Sequence, residues 1–497
     1  MLDLIKRTAQ NKLILVFLSS TIAIAFTNTV HSETAHLLFP REANTFTLSQ
    51  SVKNINFSAD YYNALAEADR FYKKGELSQS RQIQQRVKPN FSPVKSTPPS
   101  INDLSQLDAK AKGYWETATK AIEEDPAEES EITNRIFVPL QKLVREYPTF
   151  VPGHILLADT HDLYGEKKPA LSVIEKAAQL YPDNQEIIDT QIDLLLLYGQ
   201  PLEASIAARE YAQTYPNSPH ANDYEKAADK YFKQYQKQLK SKIAVSGVLG
   251  GIGQVATGNE AGGLQIGQML LAGEQSAGQS FAQSIKAQSK MVSNPQQLKY
   301  INDIGQKLAT LMGRDEFEYE FYIVEDPTPN AFALPGGKIF FHTGMLQLMD
   351  SEAELAGVMA HEIAHSVLSH SYKRLGESAL TGTAANLLAG MAGREVGIVA
   401  RIGDALLGKS FSRGKEKQSD ILGLRVLDAA GYSADGLYNV MAKLKQLKGK
   451  SNAAETLLSS HPASEERMRY LEELIQTKGY NRYGYEGVEA YRQVFPR

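Results

Sequence analysis

Between residues 101 and 240 apolar side chains recur every three or four positions, the spacing of helices that bury one stripe. A longer period is laid over it. Tyr-Pro occurs at 147–148, 181–182 and 215–216, and Leu-Tyr-Gly closes at Gly165 and Gly199, with alanines at Ala170 and Ala204, so each feature returns after 34 residues. Residues 316–346, "EFEYEFYIVEDPTPNAFALPGGKIFFHTGML", change to alternation and predict strands broken by a Pro/Asn turn and a Pro-Gly-Gly turn. The strand nearest the following helix is expected to offer an edge to an extended peptide. Helix returns across "SEAELAGVMAHEIAHSVLSH" (351–370). At roughly 100° per residue, with His361 at zero, His365 falls near 40° and Glu362 near 100°, while Leu355, Met359, Ile363 and Val367 spread over roughly 120° to 240°. Two imidazoles and a carboxylate therefore share one side of a helix whose other side is apolar.

The 34-residue unit, with small residues where helices cross and a proline closing the second helix, resembles the tetratricopeptide repeat. Two good units span 151–184 and 185–218. A degenerate unit precedes them, and a long polar helix, "ANDYEKAADKYFKQYQKQLKSK", comes after. Stacks of this kind offer a concave face to a protein partner.

Composition narrows the chemistry. The chain has no cysteine, so any metal must be held by nitrogen and oxygen, and disulfides and thiol nucleophiles are excluded. A net charge of −4 argues against a nucleic-acid partner. Lys6, Arg7 and Lys12 precede the uncharged run "LILVFLSSTIAIAF" (13–26), and Val30 and Ser32 suit a cleavage step before Glu33. This is the pattern of a signal peptide, and it places the mature protein outside the cytoplasm, most simply in a periplasm. Residues 33–100 are polar, end in "KPNFSPVKSTPPS", and are expected to be disordered. The Gly-rich, nearly uncharged segment 241–273 reads as a hinge or as a contact with a partner or membrane surface.

Two glycine motifs mimic nucleotide sites. "GIGQVA" (251–256) fits a dinucleotide fingerprint and "GDALLGKS" (403–410) fits a phosphate loop. Neither sits in the alternating strand–helix pattern those motifs need, so no nucleotide is expected.

"HEIAH" is the H-E-x-x-H motif. Imidazoles at i and i+4 can bind one zinc ion, a third protein ligand completes the set, and the fourth position is left to water. Zinc brings the pKa of such a water toward about 7, and Glu362 is placed to take the proton. Fifty-one residues past His365, "SRGKEKQSDILG" reads as helix with Glu416 and Asp420 one turn apart. Glu416 is the candidate third ligand. Asp420 can accept a hydrogen bond from a ligand histidine and fix its orientation. "SSHPASEERMRYL" (459–471) sets His461 and Arg467 at the start of another helix, where His461 by itself would read as a cap.

Taken together, "NAFALPGGKIFFHTGML", "HEIAH", "SRGKEKQSD" and "SSHPASEER", in this order, resemble the zinc metallopeptidase family of the CAAX prenyl endoprotease, HtpX and BepA, over roughly 274–475. The resemblance implies zinc ligands at His361, His365 and Glu416, a general base at Glu362 and a supporting carboxylate at Asp420. It implies that His461 either steadies the oxyanion or caps the zinc in a resting state, with Arg467 beside it. It also implies that Asn330, Ala331, Phe332, Gly336 and Gly337 line the substrate cleft. The family often writes the third-ligand segment E-x-E-A-D, and here Gln418 and Ser419 replace the second acid and the alanine.

The expected fold is mainly α with a small β-sheet: an N-terminal helical repeat array and an α+β zincin-type metallopeptidase domain. The divisions are 1–32 signal peptide, 33–100 polar segment, 101–240 repeats, 241–273 hinge, 274–475 peptidase and 476–497 tail. An exported endopeptidase with one zinc ion, acting on unfolded envelope proteins, is the expected function. The Ala/Gly-rich 376–409 is a candidate lid. The competing expectation is a repeat-based adaptor or holdase with little proteolysis, which would have no need of Glu362.

Overall fold

The computed structural model describes residues 57–93, 98–250, 270–380, 411–447, 461 and 465–496. The apolar N-terminal run, both glycine motifs and most of the candidate lid lie outside them. Among the described residues the chain is mainly helical with one small sheet, as the patterning predicts. No helix among them is long and apolar enough to cross a membrane. The chain forms two compact units, one of residues 100–174 and one of residues 57–99 with 175–496.

The first pair of helices, α1 (Ala59–Lys73) and α2 (Leu77–Val87), overturns the expectation of disorder for 33–100 within its described part. Ser58 caps α1 by accepting from the Tyr61 N–H. Tyr61, Tyr62, Leu65 and Ala66 then bury against Val488 at the far end of the chain. Lys88, after α2, is wholly buried and paired with Asp435 at 2.8 Å and Glu486 at 2.6 Å. The segment is too polar to fold on its own, but its stripe of tyrosines and one lysine find partners hundreds of residues away.

In the unit of residues 100–174, α3 (Ala109–Glu124) is capped by Asp108, which accepts from the Ala111 N–H at 2.8 Å. It packs with α4 (Val138–Glu146) and α5 (Val151–Leu163) around Ala118, Ile136, Leu140 and Leu157. Helix α6 (Lys167–Leu180) begins after a turn in which Gly165 adopts φ +75°, a left-handed conformation that favours glycine.

The other unit continues with α7 (Gln185–Leu197), α8 (Pro201–Thr214) and α9 (Ala221–Gly250). The 34-residue period thus matches two helical hairpins, α5–α6 and α7–α8. Leu202 and Ile206 of α8 join the main core shared with Ile301, Phe321 and Leu355, so this hairpin is built into the same core rather than standing in a separate array. Then come α10 (Glu274–Gln288), α11 (Pro295–Met312), β1 (Glu320–Val324), β2 (Ala331–Leu334), β3 (Lys338–His342), α12 (Thr343–Leu348), α13 (Glu352–Val367) and α14 (His370–Leu380). The last described elements are α15 (Arg413–Ala429), α16 (Gly436–Leu447), α17 (Glu465–Thr477) and α18 (Val488–Val494).

Sheet order is β1–β3–β2, with β1 parallel and β2 antiparallel to β3. The strand closest in sequence to α13, β3, is therefore the middle strand and has no free edge, contrary to expectation. β2 is an edge. The His342 N–H donates to the Asn330 carbonyl at 2.9 Å, which fixes the two-residue alternation and turns the backbone of Ala331 and Ala333 outward. The β2–β3 turn is pressed onto α10: a Cβ on Gly278 would lie 1.8 Å from the Pro335 oxygen, and one on Gly336 would lie 2.5 Å from the Gln275 Cα. Ser366 of α13 ties the turn down, accepting from the Gly337 N–H at 2.9 Å and donating to the Leu334 carbonyl at 2.8 Å.

Candidate metal centre

Helix α13 begins at Ser351, whose hydroxyl accepts from the Glu354 N–H at 3.2 Å. It is buried from Ala353 to Val367 on every side, so both its apolar and its polar faces meet protein. Two glycines let its neighbours come close. A Cβ on Gly357 would stand 2.5 Å from the Leu437 nitrogen, and one on Gly423 of α15 would stand 3.2 Å from the His361 nitrogen. That approach carries Glu416 and Asp420, one turn apart on α15, to the imidazoles of α13.

Nε2 of His361 and Nε2 of His365 are 3.1 Å apart. Glu416 Oε1 lies 3.5 Å from His365 Nε2, and Oε2 lies 3.6 Å from His361 Nε2. His461 enters from the other side, its Nδ1 3.0 Å from Glu416 Oε1 and 3.3 Å from His361 Nε2. All four donors lie within 4.8 Å of one another and are buried. Ligand bonds of about 2.0–2.1 Å in a tetrahedron require donors about 3.3–3.4 Å apart, close to the spacing found. Three imidazole nitrogens and a carboxylate oxygen facing one point are the nitrogen and oxygen donors that a divalent metal takes, so the donor set fits one.

Electrostatics agree. Burial holds His365 well below the usual histidine range, which keeps the ring neutral as a ligand must be. Burial would raise the Glu416 carboxyl, but His461 and Arg467 outweigh it and hold it well below the usual range. Glu362, next to His361, is raised by burial, partly offset by His461. His461 Nε2 has no hydrogen-bond partner and stands 3.7 Å from Glu362 Oε1.

Behind the donors lies a buried lattice. Asp420 Oδ1 is 2.8 Å from His361 Nδ1, without the alignment of a hydrogen bond. Arg467 donates to Asp420 at 2.8 and 2.7 Å and to Glu416 at 2.5 Å, and the Tyr470 hydroxyl also reaches Asp420. Phe411 stacks on His365 with ring centroids 4.1 Å apart.

Thus His361, Glu362, His365, Glu416, Asp420, His461 and Arg467, spread over a hundred residues, meet in one place. The residues expected to line a cleft divide. Ala331 presents its backbone at the β2 edge and Asn330 immediately precedes it. The Phe332 side chain instead stacks on Phe340 at 5.1 Å in the core under α10, while Gly336 and Gly337 serve the turn against Gln275 and Tyr319. Sequence reasoning missed His370, whose Nδ1 lies 3.0 Å from His365 Nδ1, and Tyr470. For His370 a signal existed: a third histidine five residues past the motif.

Comparison with known proteins agrees with this geometry. Residues 295–475 match the model of Peptidase family M48. Mitochondrial metalloendopeptidase OMA1 of Schizosaccharomyces pombe is 29% identical over 201 residues, 40% of this chain and 58% of that protein. The Beta-barrel assembly-enhancing protease of Escherichia coli (strain K12) is 27% identical over 261 residues, 48% of this chain and 52% of that protein. OMA1 of Arabidopsis thaliana is 33% identical over 153 residues, 31% of each chain. The chain spans about half the length of the first two relatives.

Proposed function

We propose that this chain, whose residues 295–475 form a Peptidase family M48 domain, is a zinc-dependent endopeptidase that cleaves unfolded or misassembled proteins outside the cytoplasm. The convergence of His361, His365, Glu416 and His461 around one point, with Glu362 beside it, carries the reading.

His361, His365 and Glu416 would hold one zinc ion. When bound, that ion supplies a Lewis acid, which lowers the pKa of water and polarises a peptide carbonyl. Glu362 accepts the proton of the attacking water and returns it to the leaving amine. Asp420 and Arg467 hold His361 and Glu416 in place. The outward backbone of Ala331 would pair with an extended substrate regardless of its sequence, while the Ala333 carbonyl is taken by the Ser371 hydroxyl at 2.7 Å. His461 takes the fourth corner of the donor set and so acts as a cap at rest. Export is supported by the charged start and the apolar run at 13–26. The helical hairpins are the surface through which a client or assembly partner is recruited.

Metal analysis coupled to cleavage of unfolded casein tests this. Wild type should carry one zinc per chain and cleave. Glu362→Gln should keep the zinc and lose cleavage, and Glu416→Ala should lose both. A Glu362→Gln protein that digests casein as wild type does would end the proposal, and one that retains full function in a cell would favour the adaptor reading.

A further inference from the structure

His365 turns Nε2 toward Glu416 and His361, and its other nitrogen meets His370, a side chain that the proposed chemistry does not use. His370 opens α14 and is fully buried. Its Nδ1 lies 3.0 Å from His365 Nδ1, and its Nε2 lies 3.1 Å from Oε1 of Gln418 on α15. Gln418 donates through its amide to Oε2 of Glu210 on α8 at 2.7 Å. The Ser419 hydroxyl approaches His370 Nδ1 at 3.4 Å, a longer second contact.

One assignment of protons satisfies the three short contacts. A histidine that offers Nε2 as a ligand carries its proton on Nδ1. His365 Nδ1–H therefore donates to His370 Nδ1. His370 then carries its own proton on Nε2 and donates it to the Gln418 carbonyl oxygen. The Gln418 amide N–H donates to the Glu210 carboxylate. Every donor meets an acceptor, and all point the same way, from the metal centre to a carboxylate on α8. His361 has Asp420 directly beside it; His365 is connected through two neutral groups to the Glu210 carboxyl, which burial raises to about 7 against the lowering effect of Gln418 and Lys417.

We infer that His370, Gln418 and Glu210 form a positioning relay that sets the tautomer and ring orientation of His365, so that the metal centre depends on helix α8 as well as on the peptidase helices. The inference rests on the reading of His365 as a ligand. It also accounts for glutamine at 418. A glutamate there would face Glu210 carboxyl to carboxyl, and above pH 7, with both ionised, would supply no donor.

The test uses the purified full chain and two readouts that need no substrate: zinc affinity by competition with a chelating dye, and the visible absorption of the cobalt(II)-loaded protein. Partners that orient a metal-bound histidine typically control about 10- to 100-fold in affinity. His370→Ala and the nearly isosteric Gln418→Glu should each weaken zinc binding by about that range and shift the cobalt bands. Gln418→Glu combined with Glu210→Gln should recover the wild-type values, because donor and acceptor have only exchanged places. Wild-type zinc affinity and cobalt spectrum in Gln418→Glu, or no recovery in the double variant, would overturn the relay. A wild-type protein that shows this binding pattern but cleaves nothing would remove the peptidase proposal and leave the relay standing.

Discussion

Arg467 donates Nη1 to Oε2 of Glu416 at 2.5 Å, and both side chains are buried. The same guanidinium spans Asp420, so one cation fixes the spacing of two carboxylates behind the histidines. Removing one partner of a buried ion pair costs about 3–5 kcal/mol, because the other charge is left uncompensated. Arg467→Met should lower the stability of the metal-free protein by about that amount, read from denaturant midpoints, with zinc recovering part of it. An unchanged midpoint would show that the lattice is not under electrostatic load.

If His461 caps the fourth corner at rest, His461→Ala should raise casein cleavage while zinc stays bound through His361, His365 and Glu416. Cleavage falling tenfold or more with zinc retained would instead assign His461 to oxyanion stabilisation.

Gly423→Ala places a methyl 3.2 Å from the His361 nitrogen and 3.3 Å from the Ala360 carbonyl carbon, both main-chain atoms of a fully packed helix. Overpacking of this kind costs about 1–3 kcal/mol. Helix α15 should move away from α13, and zinc affinity should fall along with the melting temperature. A destabilised variant with undiminished zinc affinity would separate the packing of these helices from the metal centre.

The α1–α2 hairpin leads to a prediction about stability rather than catalysis. Lys88→Met leaves Glu486 buried without its cation and Asp435 with Arg482 alone, 3.3 Å away, and should cost about 3–5 kcal/mol. A melting temperature equal to wild type would mean that the hairpin does not bear on the stability of the rest of its unit.

Asp69 in the same hairpin makes stability depend on pH. Burial raises its carboxyl to about 6, against the lowering effect of the N–H groups of Glu486 and Val488 that it accepts and of nearby Lys73. Its unfolded value is about 4. An acid whose folded pKa is raised supports the folded state fully below the unfolded value, and this support is lost as pH rises through the folded one. Glu486, raised to about 7 by burial against the lowering effect of Lys88, acts in the same direction. His365 and His370, held low by burial, act the other way, so the prediction is the difference: from pH 4 to pH 7 the melting temperature of wild type should lose ground relative to that of Asp69→Asn. Equal slopes would remove Asp69 as the source.

The local chemistry was readable from the chain alone. The i, i+4 spacing of His361 and His365 already aims two imidazoles together, and the one-turn spacing of Glu416 and Asp420 does the same for two carboxylates, because helix geometry is set by the backbone. Alternation located the strands, and the 34-residue period located the hairpins. What the chain alone could not decide was which faces would meet. Lys88 pairs with Asp435 across 347 residues, Phe332 goes into the core instead of a cleft, β3 becomes the middle strand, and His370 joins a metal ligand to Glu210 on a distant helix. Such partners are chosen by close packing and by the cost of burying an unpaired polar group. Both are properties of the assembled fold, and neither leaves a periodic trace in the sequence.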